Sequence, residues 1–398
     1  VAVVVGVNGS PLIASPAPPG PGRWQFWADA IVGGAPLGPV SVSAFTATSK
    51  LSDWGTGSVT ITHPSGLDPA RITRLWSWRL WALYEGRPVW CGVPSGVTDD
   101  GSAATVLTLT ELPGYLAYRQ FDVFPNKTYT NTEQCAIAAD LAAPVGDVGV
   151  AVATTVGSGS TLRTVVYQYL EAGARSQLLT QMSQMVAPFE FRAEYAMSGG
   201  RPACTLRIAY PRVGQDNGLG ITVPGDAVAY KTQWDSDHLR TRTFAVGDVD
   251  PTAAPGAARP VHVIDAPQPD LPRLDAADDW PGISNVGMLT QYAQSASMVN
   301  AAPAATITAK PTDSAPSVLG YAVGDDVQVN VTDPLLPGGY TALGRLHQID
   351  IDAAAATAQW TVFVTTPLPF HRETLAVRLR VLTLRVSSGF RNGPKAQV

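Results

Sequence analysis

The sequence predicts a mainly β fold with an α+β insertion, in which two related β-modules flank a middle α+β domain. Three observations predict it. Gly 37 and Pro 33 in 398 residues, with frequent Val and Thr, fit many strands joined by turns. Residues 321–366 read as three consecutive strands. Val327, Val329 and Val331 alternate with polar residues, Leu343, Leu346, Ile349 and Ile351 mark a second run, and 360–364 is almost continuously apolar. The third observation is that residues 74–112 repeat this layout of strand, turn, long strand, short polar turn, strand. Shifted by 252 residues, Gly92 falls on Gly344, Val97 on Ile349, Asp100 on Asp352 and Thr105 on Thr357.

In chain order, 1–7 reads as a buried strand, and the proline-rich stretch after it reads as a loop. Trp24, Phe26 and Trp27 form a core or interface cluster, or else a platform for sugars. Residues 41–64 alternate as two strands and a turn. The first module then runs to its Leu-rich end, so the first unit is 1–121. Residues 122–223 form the insertion. In it 130–144 reads as a short helix capped by Thr130 or Asn131, with Ile137 and Leu141 four apart. A second helix places Leu178, Met182, Met185 and Val186 on one face and stops at Pro188, and 189–211 reads as a hairpin. The second module spans 224–369. It includes a Pro/Asp-rich connection at 248–283, expected to run extended over the surface, and a helix carrying Val286, Leu289, Tyr292 and Ala293. Residues 370–398 are a basic C-terminal segment. Gly92, Gly344, Gly338 and Gly339 are the candidate structural-turn glycines, the last two in a Pro-Gly-Gly turn.

Composition narrows the function classes. Hydrophobic content of 45% against 15% charged residues belongs to a folded chain, and a net charge of −5 argues against binding nucleic acid by phosphate neutralisation. Cys91, Cys135 and Cys204 are odd in number and without CxxC spacing, so buried free thiols are expected. The opening VAVVVGV is too short for a signal sequence, and no apolar run nears the roughly 18 residues of a membrane helix. Synthesis in a reducing cytoplasm and no stable membrane insertion are expected.

The search for chemistry finds no nucleophile elbow, Walker loop or dinucleotide fingerprint. Asp235, Asp237 and His238 are the best metal-like cluster, and a polar strand end explains them equally well. Asp278 and Asp279 beside Trp280 suggest glycosidase carboxylates, and a linker rich in aspartate predicts the same pair. Neither an enzyme, a cofactor nor a metal is expected. Asp99, Asp100, Asp325, Asp326, Asp350 and Asp352 lie at or near strand ends of the two modules. They are solvated turn residues or, if the modules form a ring, an acidic lumen that repels passing DNA. Arg372, Arg378, Arg380 and Arg385 lead the basic C-terminal segment, which is a solvated tail or edge strand, or a docking segment for an acidic partner.

The layout resembles the central tail-hub proteins of tailed bacteriophages, which include contractile-tail baseplate hubs and the N-terminal part of tail-associated proteins. LYEGRPVWCGVPSGVTDDGSAATVLTLTELPGYLAYRQF resembles the first hub domain, LLTQMSQMVAPFEFRAEY the inserted domain, and YAVGDDVQVNV with GYTALGRLHQIDID the second tube-like domain. The resemblance covers about 41–366 and rests on layout more than on a fixed motif. It implies a homotrimer whose two tube-like domains per chain form a pseudo-six-fold ring at the virion tail tip. That ring would contact the distal tail ring protein, the tape-measure protein and other tail-tip or receptor-binding proteins, and would pass DNA without reading its sequence. Unlike many tail-associated members, this chain ends soon after the second module, so wall-degrading activity is expected elsewhere. The competing readings are a carbohydrate-binding β protein of the tail tip, using its ten tryptophans, and a wall hydrolase.

Overall fold

The computed structural model describes residues 24–387 except 64, 100, 102–103, 125, 170–172, 186, 224–226, 236–238, 251–252, 255, 268–270, 281–282, 300–303, 312–320, 334–335, 354–356 and 365–380. The fold is mainly β with an α+β part, as the sequence predicts.

The two modules are halves of one 14-stranded sheet. In the first module the strands run Val42–Lys50, Thr56–Thr62, Ala104–Glu111, Arg87–Asp99, Trp78–Tyr84 and Trp24–Ala30, with Pro36–Pro39 at the end. In the second the order is Ala227–Asp235, Ala304–Pro311, Val381–Ser387, Thr357–Val364, Leu336–Asp352, Asp326–Asp333 and Asp216–Val223. The halves meet where residues 348–352 pair antiparallel with 46–50.

The register displays the duplication. In the first module Gly92 pairs with Leu80 on one side and Glu111 on the other; in the second, Gly344 pairs with Val327 and Val364. The long strand of the first module skips one residue between Pro94 and Gly96, and that of the second skips one between Leu346 and Gln348. Shifted by 252, these are the same positions. A β-bulge costs pairing and re-aims every side chain beyond it, so its recurrence at one register is a property of the unit.

Burial explains the apolar runs. Every residue of Trp78–Tyr84 is buried. Trp78, Leu80 and Ala82 enter a core shared by both modules, reaching Val327, Leu346 and Ile351, while Trp81 and Leu83 enter a second core with the insertion. A strand covered on both faces has no polar positions to alternate with. By contrast, in Ala104–Glu111 Thr105, Leu107, Leu109 and Glu111 point inward between more exposed neighbours.

The insertion packs two helices, Gln134–Ala142 and Arg175–Met182, against a sheet of Val150–Val156 and the hairpin Glu190–Ser198/Arg201–Tyr210. Leu178, Met182 and Met185 are core, as their spacing predicts. Gly199 and Gly200, at φ 56 and 77, make the two-residue turn that such hairpins favour. The cap of the first helix is not Thr130 or Asn131. The Glu133 carboxylate accepts from the backbone N–H of Cys135 and Ala136, because the strand Asn126–Glu133 continues up to the helix start.

Five other expectations are corrected. Asp216–Val223, placed by sequence in the insertion, pairs in parallel with Asp326–Asp333 and belongs to the second module. The connection at 248–283 contributes Val261–Asp265 and Asp275–Asp279, which flank Arg242–Val246 in a small sheet covered by the helix Val286–Val299. On that helix Leu289, Tyr292 and Ala293 are buried, whereas Val286 is exposed. Residues 337–339 lie within Leu336–Asp352, not at its turn. The reversal falls between the paired Asp333 and Leu336, and Gly338 and Gly339 sit in an irregular stretch where 331 already pairs with 340. Gly92 and Gly344 are mid-strand as well. A Cβ at Gly92 would fall 2.1 Å from Cη2 of Trp90, so glycine lets the indole lie flat along the strand.

Candidate functional site at the joint of modules and insertion

One strand of the insertion, Glu190–Ser198, ties the two modules together, and its polar side chains alternate toward different partners. Toward the second module, Glu190 meets Arg345. The guanidinium donates from Nε to Glu190 Oε1 at 2.9 Å, from Nη1 to Asp326 Oδ1 at 2.8 Å and from Nη2 to both Glu190 Oε2 and the Val213 carbonyl. Arg212 closes on the other oxygen of Asp326, and the Val213 N–H donates to Glu190 at 3.0 Å. Beside this group Arg192 donates to the Val323 carbonyl at 2.7 Å and lies 3.5 Å from Asp325, which itself accepts from the N–H of Ala322 and Gln215. Burial works against the Arg345 charge, but the facing Glu190 and Asp326 carboxylates hold its pKa up.

Toward the first module, Tyr195 donates its hydroxyl to Glu111 at 2.7 Å. Glu111 also accepts from the Gly55 N–H at 2.7 Å and the Ser49 hydroxyl at 3.1 Å. Burial pushes its carboxyl up to about 7, against those three hydrogen bonds, which favour the charged form. A backbone clasp completes the joint, with Ser52 N–H donating to the Phe191 carbonyl at 2.8 Å. At the second-module bulge, burial together with Arg345 and Lys50 pushes His347 down to about 3, so it is neutral at ordinary pH. The joint thus couples one strand of the insertion to both modules through buried hydrogen bonds and ion pairs.

The sequence-predicted residues are distributed differently from expectation. Asp325 and Asp326 are 5% and 4% exposed and engaged by arginines and backbone N–H groups, so they do not line a lumen. Asp350 accepts from Thr48 across the seam between modules and from Gln348 on its own strand, both at 2.7 Å. Asp352 is half-buried at the end of the same strand, while Asp99 is exposed and accepts from the Gly101 N–H. Asp100, Arg372, Arg378 and Arg380 lie outside the described residues, whereas Arg385 stands in the sheet strand Val381–Ser387 opposite Gln359 and so is not part of a loose tail. Asp237 and His238 also lie outside, and among the described residues no group of three His, Cys, Asp or Glu side chains could hold a metal.

Several residues on which the two competing readings rest are engaged within the fold. Asp278 binds Arg240 at 2.9 Å and Asp279 binds Arg259, and adjacent strand residues face opposite ways, so they do not flank a common bond. Trp24 packs among Phe26, Phe45 and Tyr84, and Trp280 is stacked on Tyr292 at 3.9 Å. The three cysteines are free and buried, as expected. Among the described residues no helix is long and apolar enough to cross a membrane. Glu111 was legible as an acid on the inward register of an alternating strand; Arg345 and Glu190 gave no such signal, since their partners are distant in sequence.

No family model and no curated protein matches the sequence. Solved structures do match the fold. A 43 kDa tail protein of prophage MuSo2 from Shewanella oneidensis aligns with a TM-score of 0.56 at 10% identity, over 86% of this chain and 98% of that one. A tail protein from Neisseria meningitidis MC58 aligns with a TM-score of 0.52 at 16% identity, over 83% and 92%. The chain has the fold of phage tail proteins.

Proposed function

We propose that the chain is a structural protein of a phage tail, the hub of its tip or baseplate, and that it carries no catalytic activity. Three copies, each with two tube-like modules, form a pseudo-six-fold ring that continues the tail tube, adapts it to a three-fold tip and passes DNA to the host. The neighbours of the ring are the distal tail ring protein above, the tape-measure protein within and other tail-tip or receptor-binding proteins below. Asp99, Asp350 and Asp352 are the remaining candidates for an acidic lining, and Arg385 for docking. The observation that carries the reading is the shared bulge, at 94–96 and 346–348, in two modules joined edge to edge in one sheet. A chain built of two equivalent units laid side by side is the repeat from which a ring of doubled symmetry closes. Averaged negative-stain images of the purified chain test it: three-fold rings with a central opening are expected, and compact single-chain particles would contradict it.

A further inference from the structure

We propose that residues 96–99 of the first module form an edge that receives a strand from a second copy of this chain, and that the incoming strand is the second copy's Ala227–Asp235. The inference rests on the ring reading above and specifies its contact. By the duplication, 96–100 correspond to 348–352. In the second module that stretch is paired on its free side by 46–50 of the first module, and Ile349 and Ile351 are 8% and 4% exposed. In the first module the same side carries one hydrogen bond, from Trp76 N–H to the Pro94 carbonyl, and beyond it no strand pairs there among the described residues. Val97, the counterpart of Ile349, sits opposite the fully buried Leu107 and so on the core face of the sheet, yet it is 38% exposed.

An apolar strand edge without a lysine or proline to guard it is one that assembly must cover. Gly96, Val97 and Thr98 supply no such guard, and the single charge of the edge, Asp99, stands at its far end. The occupant follows from the sheet order. The strand that fills the intrachain edge, Val42–Lys50, ends the first module on the flank away from Trp24–Ala30, and the strand that ends the second module on the flank away from Asp216–Val223 is Ala227–Asp235. The opposite end of the sheet is Pro36–Pro39, whose two prolines cannot donate to a ladder. Edge to outer strand, copy to copy, is a head-to-tail contact, which closes into a ring when the rotation permits.

The test places p-benzoylphenylalanine at Val97 in the full chain and irradiates a mixture of isotope-labelled and unlabelled protein. Mixed-isotope cross-links between position 97 and residues 227–235 are expected. Same-chain cross-links, or cross-links between copies at another segment, would overturn the edge while leaving the ring in place. A second variant, Val97→Asp, should melt like the wild type but run as a monomer, and an assembled Val97→Asp would also overturn the edge. Wild-type chain that stays monomeric at the highest attainable concentration would overturn the ring reading, and with it this contact.

Discussion

The two modules share a meander, a bulge and a hairpin, but they differ in where each keeps its buried charge. In the first, Val93 is buried and apolar while its pairing strand ends in the buried Glu111. In the second, Arg345 stands at the position of Val93, and Val364 takes the register of Glu111 opposite the glycine. Both charges turn toward one strand of the insertion, Arg345 to Glu190 and Glu111 to Tyr195. The modules therefore keep the same backbone while their polar side chains have diverged to grip different ends of the same clamp. Duplication preserved what the sheet needs, and the insertion decided what could change. The outer strands differ too. Trp24–Ala30 joins its neighbour antiparallel, whereas Asp216–Val223 joins its neighbour in parallel.

Replacing Arg345 with valine, the first-module type of residue, should break this contrast most severely. It leaves Glu190 buried without its cation and strips Asp326 of one of its two, a loss of about 3–5 kcal/mol in denaturant unfolding. A loss under about 1 kcal/mol would mean the second module does not depend on its charge. The Glu111 side of the comparison is a pH effect of about 3 kcal/mol. A carboxyl raised from 4.5 to about 7 binds its proton more tightly when folded. Its contribution is therefore fully present below about 4.5 and is lost as pH rises through about 7. The Glu111→Gln variant should lack that fall, so the stability difference between the two proteins, followed by thermal melting from pH 4 to 8, should change in the variant's favour as pH increases.

Much of this was legible before any coordinates. The alternation of 327–331, the run of 360–364 and the Ser-Gly-Gly-Arg turn each marked an element, because strand burial and two-residue hairpins leave local traces. The 252-residue repeat was visible through four matched residues, but its bulge was not, since a skipped residue carries no composition of its own. Strand partners distant in sequence were illegible for the same reason. The pairing of Asp216–Val223 with Asp326–Asp333 and the small sheet around Arg242–Val246 depend on what packs beside them. The six aspartates looked alike in sequence, although Asp325 and Asp326 are buried in an arginine cluster and Asp99 is exposed.

Smaller changes sharpen the account. Gly92→Ala forces the Trp90 ring from its place and should cost about 1–3 kcal/mol, read as a lower denaturant midpoint with an unchanged slope. Val97→Ala should alter the stability of the dispersed chain by less than about 0.5 kcal/mol, because the side chain is exposed there. Its buried counterpart is a different case, since Ile349→Ala opens a cavity costing about 2–5 kcal/mol. Equal effects at these two positions in the isolated chain would dissolve the difference between a filled edge and an open one.

Amide hydrogen exchange at 96–99 and at 348–352, in the dispersed chain and in the assembled ring, tests that difference most directly. The account predicts slow exchange at 348–352 in both states, and exchange at the amides of 96–99 that face away from Ala104–Glu111 that is fast in the dispersed chain and slow in the ring. Fast exchange at those amides in the ring, or protection there already equal to 348–352 in the single chain, would contradict it.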